Sequence, residues 1–201
     1  MNTSAPGAGT FRSRVRRQLR EDALDAAYRV VEERGWGAVR MTSVASSVGV
    51  SRQVLYKEFG SKDGLGEALL MREAQRFIDG VADEIRRHAD VEAAIEASLR
   101  FGISQGAASP LLRAVLTSTL EGGDDTLLPL VTTSSERLVA LSRQVLQEHI
   151  TTRAPGLDAE DVESTADAVV RLLVSHLLLP LDDQETTVRR LTRLAARNLG
   201  L

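Results

Sequence analysis

Two stretches of helical periodicity, about Thr42 to Val48 and about Ser51 to Glu58, are separated by only Gly49 and Val50. No other feature of the chain restricts its fold as tightly, because two short helices joined by so tight a turn describe a helix-turn-helix unit. Met41, Val44, Ala45 and Val48 turn inward on the first of the pair, and Val54, Leu55 and Phe59 anchor the second. Gly49 permits the turn without a Cβ clash. Ala45 is small where the two helices approach, and the Ser51 hydroxyl suits an N-cap. A longer helix precedes them from Phe11 to Arg34, with Val15, Leu19, Ala23, Ala26, Ala27, Val30 and Val31 at three- and four-residue steps. Gly35 closes it, Trp36 plugs the joint beneath, and Val44, Val50 and Leu55 pin the short pair onto it. The face left outside on the last helix carries Arg52, Gln53, Tyr56 and Lys57, side chains with the reach and donors to read a major groove.

The remainder also reads as helices. Ser61 caps a long one, with Asp63 in its first turn, carrying Leu65, Leu69, Ala74, Phe77, Ile78, Val81 and Ile85 and ending near His88. Others are expected at Val91–Gln105, Pro110–Leu120, Leu130–Thr152, Ala159–Leu179 and Glu185–Leu199, with loops at Gly122-Gly123-Asp124-Asp125 and Pro155-Gly156 and an N-cap at Asp158. No strand pattern and no internal repeat emerges, so the fold class is all-α. The organisation expected is a disordered tail over 1–10, a helix-turn-helix DNA-binding domain over 11–60, and a ligand-binding and dimerisation domain over 61–201.

Charge agrees with that division. Residues up to Leu65 hold 11 Lys or Arg against 7 Asp or Glu, the rest 14 against 21, within a net charge of −3. A basic first third beside an acidic remainder suits a module that faces a polyanion joined to one that does not. Arg12, Arg14, Arg16, Arg17 and Arg20 read as an arm before the first helix that reaches phosphates or a minor groove. The absence of cysteine rules out disulfides and thiolate metal sites and fits a cytoplasmic home. No apolar run approaches the roughly 20 residues of a membrane span, and the N-terminus has no apolar segment of the kind a secretory signal needs.

Three stretches carry a resemblance: LDAAYRVVEERGW (Leu24–Trp36), SVASSVGVS (Ser43–Ser51) and RQVLYKEFGSKDGL (Arg52–Leu65). Together they resemble the TetR family of bacterial transcription regulators. The resemblance covers about 45 residues; beyond them only length and helical character match. It implies that Ser51, Arg52 and Gln53 enter the groove, that Tyr56 and Lys57 grip phosphates, that Lys62 lies near the DNA backbone, and that Thr42 meets phosphate at a helix start. Two positions depart from the family pattern. Arg40 stands where a Ser or Thr N-cap is usual, which weakens the cap and adds a phosphate contact. Val54 stands where Thr is common and suits a thymine methyl.

The resemblance also implies a ligand-responsive repressor that binds a palindromic operator as a homodimer through its last two helices. Their apolar faces comprise Val162, Ala166, Val169, Val170, Leu173 and Leu177, then Val188, Leu191, Leu194 and Ala195. The same faces also suit an intramolecular core. Phe77, Phe101, Leu112 and Leu116 are candidates to line an effector cavity, with Arg113 and His176 as its polar contacts. The wording of Arg52–Leu65 and the C-terminal half are similar to actinobacterial regulators near alkane and fatty-acid oxidation genes, which implies a lipid-like effector. No cofactor is expected and no metal, since His88, His149 and His176 lack ligand spacing. Gly60-Ser61-Lys62 lacks a phosphate-loop frame, and no catalytic set is present. The competing class is an all-helical carrier or scaffold for an apolar ligand, which predicts no salt-dependent DNA affinity.

Overall fold

The computed structural model describes residues 8–109, 111 and 128–201, and every regular element among them is helical. In chain order these are α1 (Ala8–Arg34), a 3-10 turn (Trp36–Ala38), α2 (Met41–Ser47), α3 (Arg52–Phe59) and α4 (Lys62–Arg87). There follow α5 (Val91–Ala108), α6 (Leu128–Arg153), α7 (Ala159–Leu178) and α8 (Gln184–Leu199). Of the expected helix at Pro110–Leu120 only Leu111 is described, and the loop at Gly122–Asp125 lies outside the described residues. So do Leu112, Arg113 and Leu116.

Two apolar cores organise these elements. The first gathers Ala23, Leu24, Ala27 and Val31 of α1, Trp36 and Val39, Met41, Val44 and Ala45 of α2, Leu55 and Phe59 of α3, and Leu65 and Leu69 of α4. The second gathers Val81 and Ile85 of α4 with α5 (Val91, Ile95, Leu99), α6 (Leu146, Ile150), α7 (Val162, Ala166, Val169) and α8 (Val188, Leu191, Ala195, Leu199). Helix α4 therefore enters both. Burial of such side chains is the main favourable term, about 25 cal/mol per Å² of apolar area removed from water.

Short polar residues set the helix starts. Ser51 and Ser61 accept from the backbone N–H groups of Val54 and Gly64, and Asp90, Asp158 and Asp183 cap α5, α7 and α8 in the same way. Arg40 caps α2 without any side-chain bond to it, as its sequence position foretells. Gly49, at φ 71°, makes the left-handed turn between α2 and α3. Gly64 answers a different need: a Cβ there would lie 2.0 Å from the Phe59 carbonyl oxygen, so α4 starts hard against the end of α3.

Three expectations need correction. Helix α1 begins at Ala8, inside the segment read as a tail, so the five arginines expected on an arm before the first helix lie on that helix itself. Val15, expected to face inward, is 52% exposed, because the first turns of α1 run clear of the core. The third concerns the outward faces of α7 and α8. Val162, Ala166, Val169, Val170, Val188, Leu191 and Ala195 are all buried within the protomer, leaving Leu194 exposed at 43%. Those apolar faces close an intramolecular core, and what remains outside α8 is Leu194 flanked by Arg189, Arg190, Arg193 and Arg197.

Candidate nucleic-acid interface

The site is built from α3 upward. Leu55 is fully buried and Phe59 nearly so, which commits one side of this eight-residue helix to the core. The other side presents Arg52, Gln53, Val54 and Lys57, all exposed, with Tyr56 half-buried between them. Arg52 does not dangle. Its guanidinium lies 5.0 Å from the centroid of the Tyr56 ring, and Nη2 donates to the Tyr56 hydroxyl at 3.4 Å. Stacking one turn apart holds the fork of donors off the helix surface, and such contacts contribute roughly 0.5–1 kcal/mol at exposed sites.

The flanking residues split into those left open and those already engaged. Thr42, in the first turn of α2, is exposed. The Ser51 hydroxyl accepts from the Val54 N–H at 3.3 Å, so its oxygen is occupied by capping while its proton remains to donate. Arg40 folds back on its own turn, donating to the carbonyls of Gly37 and Val39. Lys62, read as a backbone contact, has Nζ 5.2 Å above the Trp36 ring. The ring thereby both plugs the joint after α1 and seats the cation at the start of α4.

Sequence reasoning missed Glu58. Its side chain, on the back of α3, is only 9% exposed because two arginines of α1 close over it. Arg16 Nε donates to it at 2.6 Å and Arg20 Nη1 at 3.2 Å, and the Arg20 guanidinium also lies 5.0 Å from the Phe59 ring centroid. The signal was present in the sequence: a lone carboxylate on a short helix opposite a run of arginines. Two of the five arm arginines are therefore spent on holding α1 to α3, while Arg12, Arg14 and Arg17 stay exposed.

In the second core, Phe77 and Phe101 meet with ring centroids 6.0 Å apart, both half-buried. Glycines let the helices close around them: Gly80 faces the Phe101 ring, Gly102 faces Leu173, and Gly106 faces Leu177. His176 sits on α7 with Nδ1–H donating to the Leu172 carbonyl at 2.8 Å, so that nitrogen is satisfied inside its own helix. The structure thus brings Phe77 and Phe101 together, while His176 bonds to its own helix.

A short helix packed across a longer one, followed by a glycine turn and a basic exposed helix, on an all-helical body, defines a helix-turn-helix DNA-binding protein. Residues 23–69 match the profile of bacterial regulatory proteins of the tetR family, and residues 90–197 that of the C-terminal domain of bacterial tetracyclin repressor. The chain belongs to the TetR family of bacterial transcription regulators. It is 31% identical over 183 residues to the HTH-type transcriptional regulator AlkX of Mycobacterium tuberculosis, covering 88% of this chain and 82% of that one. A shorter match, 37% over 90 residues, joins it to the HTH-type transcriptional activator FasR of Mycolicibacterium smegmatis, over 43% of this chain and 41% of that one. Among solved structures it is similar to the TetR family repressor AlkX of Dietzia sp., implicated in biodegradation of n-alkanes. The TM-score is 0.69 at 28% identity, covering 90% of this chain and 95% of that one. The protein is a transcriptional regulator. Among the described residues no helix is long and apolar enough to cross a membrane.

Proposed function

We propose that this regulator is a ligand-responsive repressor that binds a palindromic operator as a homodimer. The observation that carries the reading is the outward row of exposed Arg52, Gln53 and Lys57 with half-buried Tyr56, on a helix whose opposite side is committed to the core through Leu55 and Phe59 and to α1 through Glu58. Arg52 and Gln53, with Ser51, read base edges; Val54 meets a thymine methyl. Tyr56, Lys57, Thr42, Arg40 and Lys62 hold phosphates, and Arg12, Arg14 and Arg17 add backbone contacts from α1.

The partner surface in this reading is the outer face of α7 and α8. Asn198 supports it by tying the two helices together, its Nδ2 donating to Ser164 Oγ at 3.2 Å and Thr165 Oγ1 at 2.5 Å. Leu194 forms the apolar centre of that face. A two-fold dimer sets its two recognition helices about 34–36 Å apart, or a multiple of that, to match successive major grooves.

The effector proposed is apolar and lipid-like, bound between α4, α5 and α7 beside Phe77 and Phe101, with His176 near its edge. That the Dietzia sp. relative is implicated in biodegradation of n-alkanes supports that class of ligand. Because α4 enters both cores, a ligand that shifts its upper half also shifts the helix-turn-helix. Fluorescence anisotropy on DNA from upstream of the gene, with and without long-chain alkanes or fatty acids, tests this. The expected result is a loss of about 5–150-fold in DNA affinity on ligand addition; equal affinity with every apolar candidate would remove the effector class.

A further inference from the structure

Helix α4 is anchored by apolar contacts at its two ends, through Leu65 and Leu69 in the first core and Val81 and Ile85 in the second. Between them its grip on α1 is polar and centres on Arg72. Nη1 donates to the Asp25 carboxylate at 2.7 Å and to the Glu21 backbone carbonyl at 3.4 Å, with the Glu21 carboxylate at 3.5 Å. Nε donates to Glu73 on its own helix at 3.0 Å, and Glu73 also accepts from Arg76 at 3.0 Å. The Arg72 side chain is only 9% exposed, while Glu21 and Asp25 stand at 46% and 53%. Its Nη2 is buried with no hydrogen-bond partner.

An arginine in this position is poorly explained by stability. An ion pair whose carboxylates stand half in solvent gains little, because water screens the attraction while the guanidinium is desolvated. What the guanidinium supplies is direction. With Nε held by Glu73 of α4, the planar guanidinium aims Nη1 at two acceptors of α1 and so fixes where they lie relative to α4, whereas apolar contacts tolerate sliding and rotation. The Arg72 contacts occupy the stretch of α4 between the residues that enter the two cores.

We infer that Arg72, with Asp25 and Glu21, is the joint that fixes α4 against the helix-turn-helix, and so fixes the operator spacing the dimer accepts. The inference rests on the dimeric operator binding proposed above. Its role is positioning: Arg72 need not touch DNA or effector.

The test uses the full chain and the duplex it prefers from a random-sequence pool. That duplex is compared with versions whose centre is longer or shorter by two base pairs, which turns one half-site by roughly 70°. A single half-site duplex, and thermal melting, serve as controls. The wild-type chain is expected to prefer its own spacing by about tenfold or more, within the usual range of coupling between sites. In Arg72→Met the preference is expected to fall to about threefold or less, with half-site affinity and melting temperature kept. Should Arg72→Met fail to fold, the double variant Glu21→Ala/Asp25→Ala, which removes both carboxylate acceptors from half-exposed positions of α1, gives the same reading. An unchanged preference in the variants, or an equal loss on half-site and full duplex, overturns the joint. A wild-type chain indifferent to spacing overturns the dimeric reading itself, before any variant is made.

Discussion

Two positions show how much single atoms decide here. Gly64 has no room for a Cβ, which would lie 2.0 Å from a backbone oxygen that cannot move aside cheaply. Gly64→Ala should therefore lower stability by about 1–3 kcal/mol, read by chemical denaturation, and should loosen DNA binding because α3 and α4 part at that point. His149 is the second. Burial first, then the charge of Arg153, hold its pKa below the ordinary 6.5, and its Nε2 is buried without a partner. The unfolded chain consequently binds a proton before the folded one does. The stability contributed by neutral His149 is whole above about pH 6.5 and is lost as pH falls through the lower folded value. Melting temperatures from pH 7.5 to 5 should decline, and His149→Leu should flatten that decline; an identical slope in the variant would remove the assignment.

At the scale of elements, the pair α2–α3 was legible because its constraints are local. A positive-φ glycine, a serine cap and apolar residues one turn apart are all short-range, and helix ends agree within a few residues. The first turns of α1 were less legible. Periodicity marks Val15 as inward, yet α3 meets this turn of α1 through Arg16 and leaves Val15 half in solvent, and only tertiary structure could say so. The outward faces of α7 and α8 failed for the complementary reason, since an apolar stripe does not reveal whether it packs within the chain or across a two-fold axis. Glu58 was missed because its two partners lie about 40 residues away, at separations of 42 and 38. That strap has a consequence: Arg16 and Arg20 share one carboxylate and are held against α3, so the phosphate contacts proposed for α1 fall first to Arg12, Arg14 and Arg17. Replacing those three with Ala should reduce the slope of log affinity against log salt by about 0.9 for each phosphate that is no longer neutralised. An unchanged slope would show that the start of α1 stays off the DNA.

For the whole molecule, the arrangement is one of two cores bridged by α4, with the basic helix at one end and an arginine-flanked Leu194 at the other. If that far face is where two protomers meet, Leu194→Arg adds a like charge at the centre of a self-complementary contact, and sedimentation should report a shift from dimer to monomer. Dimerisation matters because one recognition helix covers too few base pairs to single out an operator, and two at fixed spacing multiply their discrimination. The central claim, however, is that α3 reads DNA sequence. The direct test titrates the purified chain onto upstream DNA in the presence of excess unrelated duplex, beside Arg52→Ala/Tyr56→Ala. The account predicts tight, competitor-resistant binding that the double variant abolishes while its helical circular dichroism is kept; weak binding equal on both duplexes, or a variant that binds as the wild type does, would contradict it.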